Sequence, residues 1–329
     1  MLRSASVAKG TNVRALLVVN PKATTTSERA RDVLVRALRS EVNLTVEITR
    51  RRGHAADLAR DAVARGLDVV VTLGGDGTVN EVVNGLLTPA GAKDTPGRPV
   101  SSASLPALAV VPGGSTNVFA RALGLPKDAV EGTGAILEAM HAGRFRSVGL
   151  GRADGRYFTF CAGLGIDAEV IRKVERARLR GKASTPTLYV RSTVAQFFLE
   201  SDRRTPSITL ERPGEKAEAE LGTVIVQNTV PWTYLGNRPV NACPDASFDT
   251  GLDLMAMRTL HVPATARAVA QILARRPNPH GRQMLTLHDL TEFSLRSTRP
   301  LAFQLDGEYL GERTKVAFSA VPDALRVFC

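Results

Sequence analysis

Short apolar runs alternate with amphipathic stripes in the first part of the chain. The apolar runs predict buried strands, and the stripes between them, in which apolar residues recur every three or four positions, predict helices. One helix is expected to start near Thr78, and another to run from about Thr116 to Leu123. Strands that alternate with helices indicate a parallel sheet with helices on both faces. The predicted strands are 15–19, 44–49, 68–73 and 107–111.

The pattern changes after about residue 150, where strands dominate. This change predicts two domains, an α/β domain at 13–148 and a strand-rich domain at 149–329, whose last segment could pack back on the first. The fold class is therefore α/β. A helix is expected at 185–200, and strands are expected at 157–162, 206–211, 220–228, 252–257, 290–296, 301–305 and 314–319.

The overall composition is that of a globular protein with a basic surface. Hydrophobic residues make up 43% of the chain and charged residues 23%, an ordinary balance for a domain with a buried core. The net charge of +11 favours a polyanionic partner. Aromatic residues are only 5%, which argues against a nucleic-acid stacking platform. The alternative is an arginine-rich composition without an electrostatic purpose.

Cysteine usage and hydropathy bear on the compartment. Cys161, Cys243 and Cys329 are far apart and odd in number, which disfavours zinc sites and disulfide frameworks and fits a reducing cytoplasm. No apolar run approaches the ~20 residues of a membrane-spanning helix. A lipid substrate would then have to be reached from the membrane surface.

A glycine-rich loop follows the third predicted strand. Residues 74–78 read GGDGT, and three glycines in four positions permit positive φ and a close backbone approach to a ligand. The helix expected to follow points its N-terminus at this loop, which favours a phosphate group. Asp76 is expected to be exposed and able to serve a metal or a reacting hydroxyl. A structural turn, the alternative, needs only two glycines.

Two further loops share the carboxyl edge of the predicted sheet. Residues 20–24 (NPKAT) follow the first strand and alone would pass for an ordinary connection. Residues 112–117 (PGGSTN) follow the fourth strand and repeat the design of the glycine-rich loop. Ligands of such sheets bind beyond the carboxyl ends of the strands, so the loops together predict a phosphate ligand. No GxxxxGK[ST] motif is present, which argues against a P-loop enzyme.

Two other motifs have competing interpretations. Residues 163–168 (GLGIDA) match a GxGxxA dinucleotide fingerprint, but they lie outside the alternating half of the chain, which disfavours that function. Asp306 and Glu308 would point the same way in an extended strand. Because Asp-Gly is a common turn pair, composition alone favours an ordinary hairpin turn here.

Taken in order, the loop motifs resemble one family. The Asn20-Pro21 pair, GGDGTVNE at 74–81 and PGGSTNVFARAL at 112–123 closely resemble the diacylglycerol kinase catalytic family, which includes bacterial diacylglycerol kinases, sphingosine kinases and ceramide kinases. The GGDGT loop alone is shared with NAD kinases and phosphofructokinases. The other two loops distinguish this family.

The resemblance implies a nucleotide-binding α/β domain and a β-sandwich domain with the active site in the cleft between them. It implies that Asp306 or Glu308 is the general base, and it assigns residues 163–167 to the neighbourhood of the lipid. These two inferences displace the turn and the dinucleotide interpretations. The ATP contacts that it implies are Asn20, Pro21, Lys22, Ala23, Thr24, Thr49, Gly75, Asp76, Gly77, Thr78, Val79, Asn80, Glu81 and Ser115.

The chain departs from the family pattern at two positions. Val118 stands where bacterial members have the aspartate of an Asn-Asp pair, so we expect Asp76 to carry more of the metal and hydroxyl chemistry. Thr250 stands where many bacterial members have the second aspartate of a structural magnesium site. Asp249 is left as the candidate metal ligand at that position.

The sequence thus predicts a cytoplasmic, peripherally membrane-associated kinase that uses ATP and Mg²⁺. Diacylglycerol is the first candidate substrate, a sphingoid or ceramide-type lipid the second, and a non-catalytic lipid- or nucleotide-binding regulator the third. Basic residues at 172–182 predict contact with an anionic membrane, although a solvated helix face would have the same composition. Nucleic acid is not expected as a partner, and a homodimer is left open.

Overall fold

The computed structural model describes residues 13–23, 28–88, 102–179 and 206–329. The chain divides into two compact units. One comprises the residues up to Gly149 together with Asp323–Cys329, and the other comprises Leu150–Pro322. Two strands have residues in both units.

The first unit alternates strands and helices as the apolar pattern predicts. Its elements are β1 (Arg14–Val19), α1 (Glu28–Arg39), β2 (Asn43–Ile48), α2 (His54–Ala64), β3 (Val69–Gly74), α3 (Asp76–Leu87), β4 (Ala107–Pro112), α4 (Val118–Ala122), α5 (Ala129–His141) and the start of β5 (Phe145–Ala153).

The sheet of the first unit has the strand order β2-β1-β3-β4, and all these pairs are parallel. Every residue of β3 and β4 is buried, as expected of strands covered on both faces. The end of a later strand joins β4 in parallel, with Val327 opposite Leu108. The predicted α/β fold class is confirmed. Because the strands are parallel, the loops after all four of them lie at one edge of the sheet.

Two helices of this unit begin at different residues from those predicted. Helix α3 begins at Asp76, not near Thr78, so Gly77 lies in its first turn. Helix α4 begins at Val118, because Asn117 has a φ of 51°, a left-handed conformation that cannot continue a right-handed helix.

The second unit is rich in strands. Its elements are the end of β5, β6 (Arg156–Phe158), β7 (Cys161–Leu164), α6 (Ile166–Leu179), β8 (Ile208–Glu211), β9 (Glu218–Leu221), β10 (Thr223–Gln227), β11 (Thr233–Leu235), β12 (Arg238–Val240), β13 (Leu252–Met257), α7 (Val262–Ile272), β14 (Met284–Leu290), β15 (Glu292–Leu305) and most of β16 (Glu308–Phe328).

The strands of the second unit pair antiparallel in the order β14-β13-β10-β7-β15-β16, and β8 pairs with another part of β15. The predicted strand at 157–162 is interrupted at Thr159 and Phe160, and the two strands predicted at 290–296 and 301–305 are one strand, β15. Helix α7 and strand β14 were not predicted. The helix predicted at 185–200 lies outside the described residues.

Helices of the described residues are too short or too polar to cross a bilayer: none of them meets the length and hydropathy that a membrane span requires. The second unit instead buries its apolar residues in two clusters. One contains Phe293 and Phe318, whose stacked rings have centroids 4.9 Å apart. The other lies beneath helix α7.

Candidate functional site

The two glycine-rich loops of the first unit contact each other through their backbones. The Gly113 N–H donates to the Gly74 carbonyl at 2.9 Å. A Cβ placed on Gly114 would lie 2.6 Å from the Cα of Gly75, and one placed on Gly75 would lie 3.3 Å from the Cα of Gly114. Only glycine permits this approach, so the two loops form one continuous backbone surface at the edge of the sheet.

Asp76 joins the glycine-rich loop after β3 to the loop at 112–117 after β4. Its carboxylate accepts the Val118 N–H at 3.0 Å and the Phe119 N–H at 3.1 Å, so it caps the N-terminus of α4 from another segment of the chain. Asp76 is half-buried, and the expectation that it is exposed was wrong. Capping of α4 is one reason for an aspartate at position 76.

Thr78 joins helix α3 to the loop after β1. The Asn20 side-chain amide donates to Thr78 Oγ1 at 3.0 Å, and Asn20 Oδ1 accepts the Lys22 N–H at 3.0 Å. The Asn20 N–H also donates to the Leu73 carbonyl at 2.9 Å. Asn20 therefore fixes the shape of its own loop and holds that loop against α3.

Glu81 joins the second turn of α3 to the segment after β2. Its carboxylate accepts the Gly53 N–H at 2.8 Å and the Ala55 N–H at 3.2 Å, at the N-terminus of α2, where a negative charge is stabilising. Thr49 directly follows β2, and its N–H donates to the Val19 carbonyl at 2.8 Å. Asp76, Thr78 and Glu81 thus tie helix α3 to the loops that follow β4, β1 and β2.

The loop at 112–117 is closed by hydrogen bonds of Asn117. Asn117 Oδ1 accepts the Gly114 N–H at 2.8 Å, and the Asn117 side-chain amide donates to the Gly114 carbonyl at 2.8 Å. Asn117 is buried, whereas Ser115 between them is exposed. This closure holds Gly114 against Gly75 and leaves the Ser115 hydroxyl at the surface.

Gly77 lies exposed in the first turn of α3, and apart from its chain neighbours and the backbone of its own helix no atom lies within 4 Å of the position where a Cβ would stand. The first N–H groups of a helix have no acceptors within it and carry a partial positive charge. The motif thus contributes its side chains to holding loops together and leaves backbone and open space for a ligand. This arrangement suits the close approach of a phosphate group.

Other predicted nucleotide contacts vary in accessibility. Pro21 and Lys22 are exposed, and Ala23 is half-buried beside them. Val79 is 2% exposed and Asn80 is 1% exposed, so both side chains lie in the interior. Thr24 lies outside the described residues.

The predicted carboxylate pair of the second unit lies at a hairpin turn between β15 and β16. Asp306 has a φ of 47° and Gly307 a φ of 75°, two successive positive values that are typical of a tight hairpin turn. The segment is therefore not extended, and the two carboxylates do not share a strand face.

Asp306 is 5% exposed and is held by strand β7 and the residues before it. Its Oδ2 accepts the Thr159 N–H at 2.7 Å and the Thr159 hydroxyl at 2.9 Å, and its Oδ1 accepts the Phe160 N–H at 3.0 Å and the Cys161 N–H at 3.2 Å. Four donors match the number of lone-pair sites of a carboxylate. The Thr159 and Phe160 amides lie between β6 and β7, and they bind Asp306.

Glu308 has a different partner. Its carboxylate forms an ion pair with Arg156 at the start of β6, and 16% of its side chain is exposed. Sequence reasoning missed both Arg156 and Thr159, because they lie about 150 positions from the carboxylates they contact. No local pattern connects residues so far apart.

The family is decided by a comparison of the sequence with known families. Residues 14–153 match the diacylglycerol kinase catalytic domain, and this span contains all three loops described above. The matched part of the chain is similar to the catalytic domain of the family that the loop motifs predict. The predicted family and the prediction of a lipid kinase enzyme are confirmed.

Relatives resemble this lipid kinase over most of its length. A diacylglycerol kinase of Bacillus subtilis is 29% identical over 261 residues, which cover 79% of this chain and 77% of the relative. A Stenotrophomonas maltophilia protein named probable lipid kinase YegS-like is 29% identical over 96% of both chains. The crystal structure of a diacylglycerol kinase from Bacillus anthracis strain Sterne matches 97% of this chain and 98% of its own, with a TM-score of 0.73 and 22% identity.

Two remaining predictions concern the second unit of this lipid kinase. Among the described residues, no group of three or more His, Cys, Asp and Glu side chains could hold a metal ion, and Asp249 is exposed. Residues 163–165 end β7 and turn into α6 through Gly165, whose φ is 96°. Strand β7 pairs antiparallel with β10, which is not the parallel βαβ unit that a dinucleotide fingerprint requires.

The basic segment 172–182 is described only at its start. Arg172 is 22% exposed and pairs with Glu169 and with Glu312, the latter at 3.3 Å. The side chains of 174–179 and the whole of 180–182 lie outside the described residues. The first arginine of the segment is therefore held by two carboxylates of its own chain.

Proposed function

We propose that this lipid kinase transfers the γ-phosphate of ATP to the hydroxyl of a membrane lipid, with diacylglycerol as the first candidate. The observation that carries the proposal is the backbone surface formed by Gly75 and Gly114 next to the open first turn of α3. Phosphoryl transfer depends mainly on positioning and on neutralising charge, and a rigid set of amides supplies both.

The glycine-rich loops are the proposed binding site for the phosphates of ATP. The polyphosphate of ATP would lie along the glycine loops, with Gly77 leaving room for it and the N-terminus of α3 facing its charge. The side chains of Asp76, Thr78 and Glu81 keep the loops in register. Their role in binding is therefore to position the backbone.

Magnesium fits this arrangement as a companion of the nucleotide. Mg²⁺ is usually held by one or two carboxylates together with substrate phosphates rather than by a protein cage, and no such cage is found among the described residues. Asp76 lies within the glycine-rich loop and is the carboxylate that we propose for Mg²⁺. When bound, the ion would neutralise negative charge on the phosphate oxygens.

We propose that the hairpin between β15 and β16 acts on the lipid hydroxyl. A lipid hydroxyl must lose its proton as its oxygen bonds to the γ-phosphorus and the bond to the β–γ bridging oxygen breaks. We assign proton removal to the Asp306–Glu308 pair. The four donors on Asp306 favour a positioning role for it, and we therefore assign the proton to Glu308, whose carboxylate forms an ion pair with Arg156.

We also propose that the protein works as a peripheral membrane protein, because its acceptor resides in a bilayer. The basic segment 172–182 remains a proposed contact, although Arg172 is engaged with Glu169 and Glu312.

The deciding experiment offers radiolabelled ATP and Mg²⁺ with a panel of lipid alcohols in mixed micelles. The panel contains diacylglycerol, a sphingoid base and ceramide. Labelled phosphatidic acid as the main product supports the proposal, and a labelled sphingoid or ceramide product replaces diacylglycerol with the second candidate. Tight ATP binding without any labelled lipid would indicate a regulator that has lost activity.

A further inference from the structure

Helix α7 has two apolar stripes on different faces. Ala268 and Ile272 are 1% and 7% exposed and pack on the core cluster beneath the helix. Val262, Ala266 and Val269 form the other stripe, at spacings of four and three residues that place them on one side of a helix. Val262 is 44% exposed and Val269 is 46% exposed. A globular helix needs only the first stripe, so the second calls for a partner.

The charged residues of helix α7 and of the segment that directly follows it are all arginines. Arg267 lies within the helix, and Arg275 and Arg276 follow it, all three exposed. Within the described part of the chain, none of the three forms an ion pair with an acidic side chain. The sequence from 254 to 288 contains no Asp or Glu at all. The partner of this surface is therefore expected to be anionic.

The hairpin formed by β11 and β12 extends the same surface. The Arg238 guanidinium donates to the Leu273 carbonyl at the end of α7, and Val240 of β12 and Trp232 pack on the same core cluster as α7. Leu235 at the hairpin is 37% exposed. All of the exposed large hydrophobic residues recorded in the described part of the second unit lie on α7 or on this hairpin.

We infer that α7 and the β11–β12 hairpin form a docking surface for an anionic lipid bilayer. Exposed valines together with exposed arginines match the interfacial amphipathic helix, in which apolar side chains enter the acyl boundary and basic side chains reach the phosphates. A second copy of this chain is a poorer partner, because an isologous contact would set arginines against arginines. The inference rests on the proposed function in one respect, that the substrate lies in such a bilayer.

Vesicle co-sedimentation of the full-length protein tests this surface. The vesicles are phosphatidylcholine, either pure or containing about one third phosphatidylglycerol. We expect Val269→Asp to weaken binding to anionic vesicles at least ~tenfold, because it places a charge at the acyl boundary. Arg267→Gln should weaken it about fivefold, which corresponds to about 1 kcal/mol per basic residue, and should leave the weak binding to neutral vesicles unchanged.

Val33→Asp is the matched control. Val33 is 51% exposed on helix α1 of the first unit, so the substitution has the same chemistry on a helix outside the surface and should leave vesicle binding unchanged. Circular dichroism and thermal melting confirm that each variant is folded. Trp232 is the only tryptophan of the chain, and brominated phospholipids should quench its fluorescence if this surface meets the bilayer.

The outcomes separate the docking surface from the kinase reaction. Val269→Asp should keep wild-type phosphorylation of a short-chain, water-soluble diacylglycerol and lose it on vesicles. Vesicle binding by a protein that phosphorylates no lipid would refute the proposed function and leave the surface standing. Equal loss of binding in Val33→Asp and Val269→Asp, or a concentration-dependent dimer that Val269→Asp alone abolishes without changing vesicle binding, would overturn the inference.

Discussion

Gly114 approaches Gly75 so closely that a Cβ on Gly114 would stand 2.6 Å from the Gly75 Cα. The atoms that would collide belong to backbone on both sides, which cannot rotate away as a side chain can. The closure of the third loop by Asn117 and the bond from Gly113 to Gly74 prevent the loops from separating. The relationship between these two glycines therefore bears on stability and on nucleotide binding together.

Gly114→Ala should destabilise the protein by about 1–3 kcal/mol, the usual cost of overpacking, and should weaken ATP binding. The free energy of unfolding from denaturant titration and the nucleotide affinity from calorimetry measure the two effects. Gly134→Ala is the control, because Gly134 lies exposed in α5 with nothing within 4 Å of its would-be Cβ. That variant should gain about 0.5–1 kcal/mol. Equal stability of the two variants would show that the loops separate easily.

Gly77→Ala separates ligand binding from folding. The added methyl meets no atom within 4 Å beyond its chain neighbours and its own helix backbone, and the substitution removes a glycine from a helix, so stability should be unchanged or rise by up to about 1 kcal/mol. If the polyphosphate lies over this turn, the methyl should lower ATP affinity at least ~tenfold, about 1.4 kcal/mol. Calorimetric titration with ATP measures the affinity. Full affinity in a folded Gly77→Ala protein would place the phosphates elsewhere.

Asp76 should affect both stability and chemistry, to different degrees in two variants. Asp76→Ala removes both acceptors of the α4 cap and should cost about 1–2 kcal/mol. Asp76→Asn keeps one acceptor and should cost less. If the carboxylate also serves Mg²⁺, both variants should lose most of the phosphotransfer rate, whereas a rate that follows stability alone would reduce Asp76 to a cap.

Asp306 and Glu308 should differ in the same way. Asp306→Asn replaces an acceptor of four hydrogen bonds with a group that must present an N–H₂ to some of the donors, and a loss of about 2 kcal/mol or more in unfolding free energy is expected. Glu308→Gln removes the charge of an ion pair with Arg156 but keeps the length of the side chain, so it should cost less stability than Asp306→Asn and still abolish most of the activity if Glu308 removes the proton. An active Glu308→Gln and an inactive, fully stable Asp306→Asn would reverse the two assignments.

The sheet of the first unit could be predicted because its signal is local. A run such as Val69 to Leu73 is apolar on both faces, which marks a covered parallel strand. Parallel strands then bring the loops that follow them to one edge without further information. The placement of the three predicted loops at one edge therefore followed from the alternation of strands and helices.

The contacts within the site could not be predicted, because they join residues that are distant in sequence. Nothing near Asp76 indicates that it caps a helix about 42 positions later, and nothing near Glu81 indicates that it caps one 28 positions earlier. Strand β15 is another difference between prediction and structure. Two strands were predicted, at 290–296 and 301–305, whereas one strand continues through an irregular stretch of its pairing with β16, between Arg296 and Leu301.

His288 should make stability depend on pH. Its Nδ1 lies 2.8 Å from Oδ1 of Asp253, which is 2% exposed. The hydrogen bond to the Asp253 carboxylate, with the charges of Asp245 and Asp289 nearby, raises the pKa of His288 above its ordinary value of 6.5. Burial raises the pKa of Asp253, and the bond to His288 opposes that rise. The folded state therefore binds a proton more tightly than the unfolded state does.

The stabilisation from His288 should then be complete below about pH 6.5 and disappear as the pH rises through the raised pKa of the folded state. Because about half of the His288 side chain is exposed, solvent screening limits the effect to a few tenths of a kcal/mol. His288→Gln should accordingly lower the denaturant midpoint at about pH 5.5 more than at about pH 8.5. His261→Gln, at an exposed position where the side chain makes no capping bond, should show no such difference. A His288→Gln deficit that grows with pH would mean that the neutral ring, not the imidazolium, is what stabilises the β13–β14 pair.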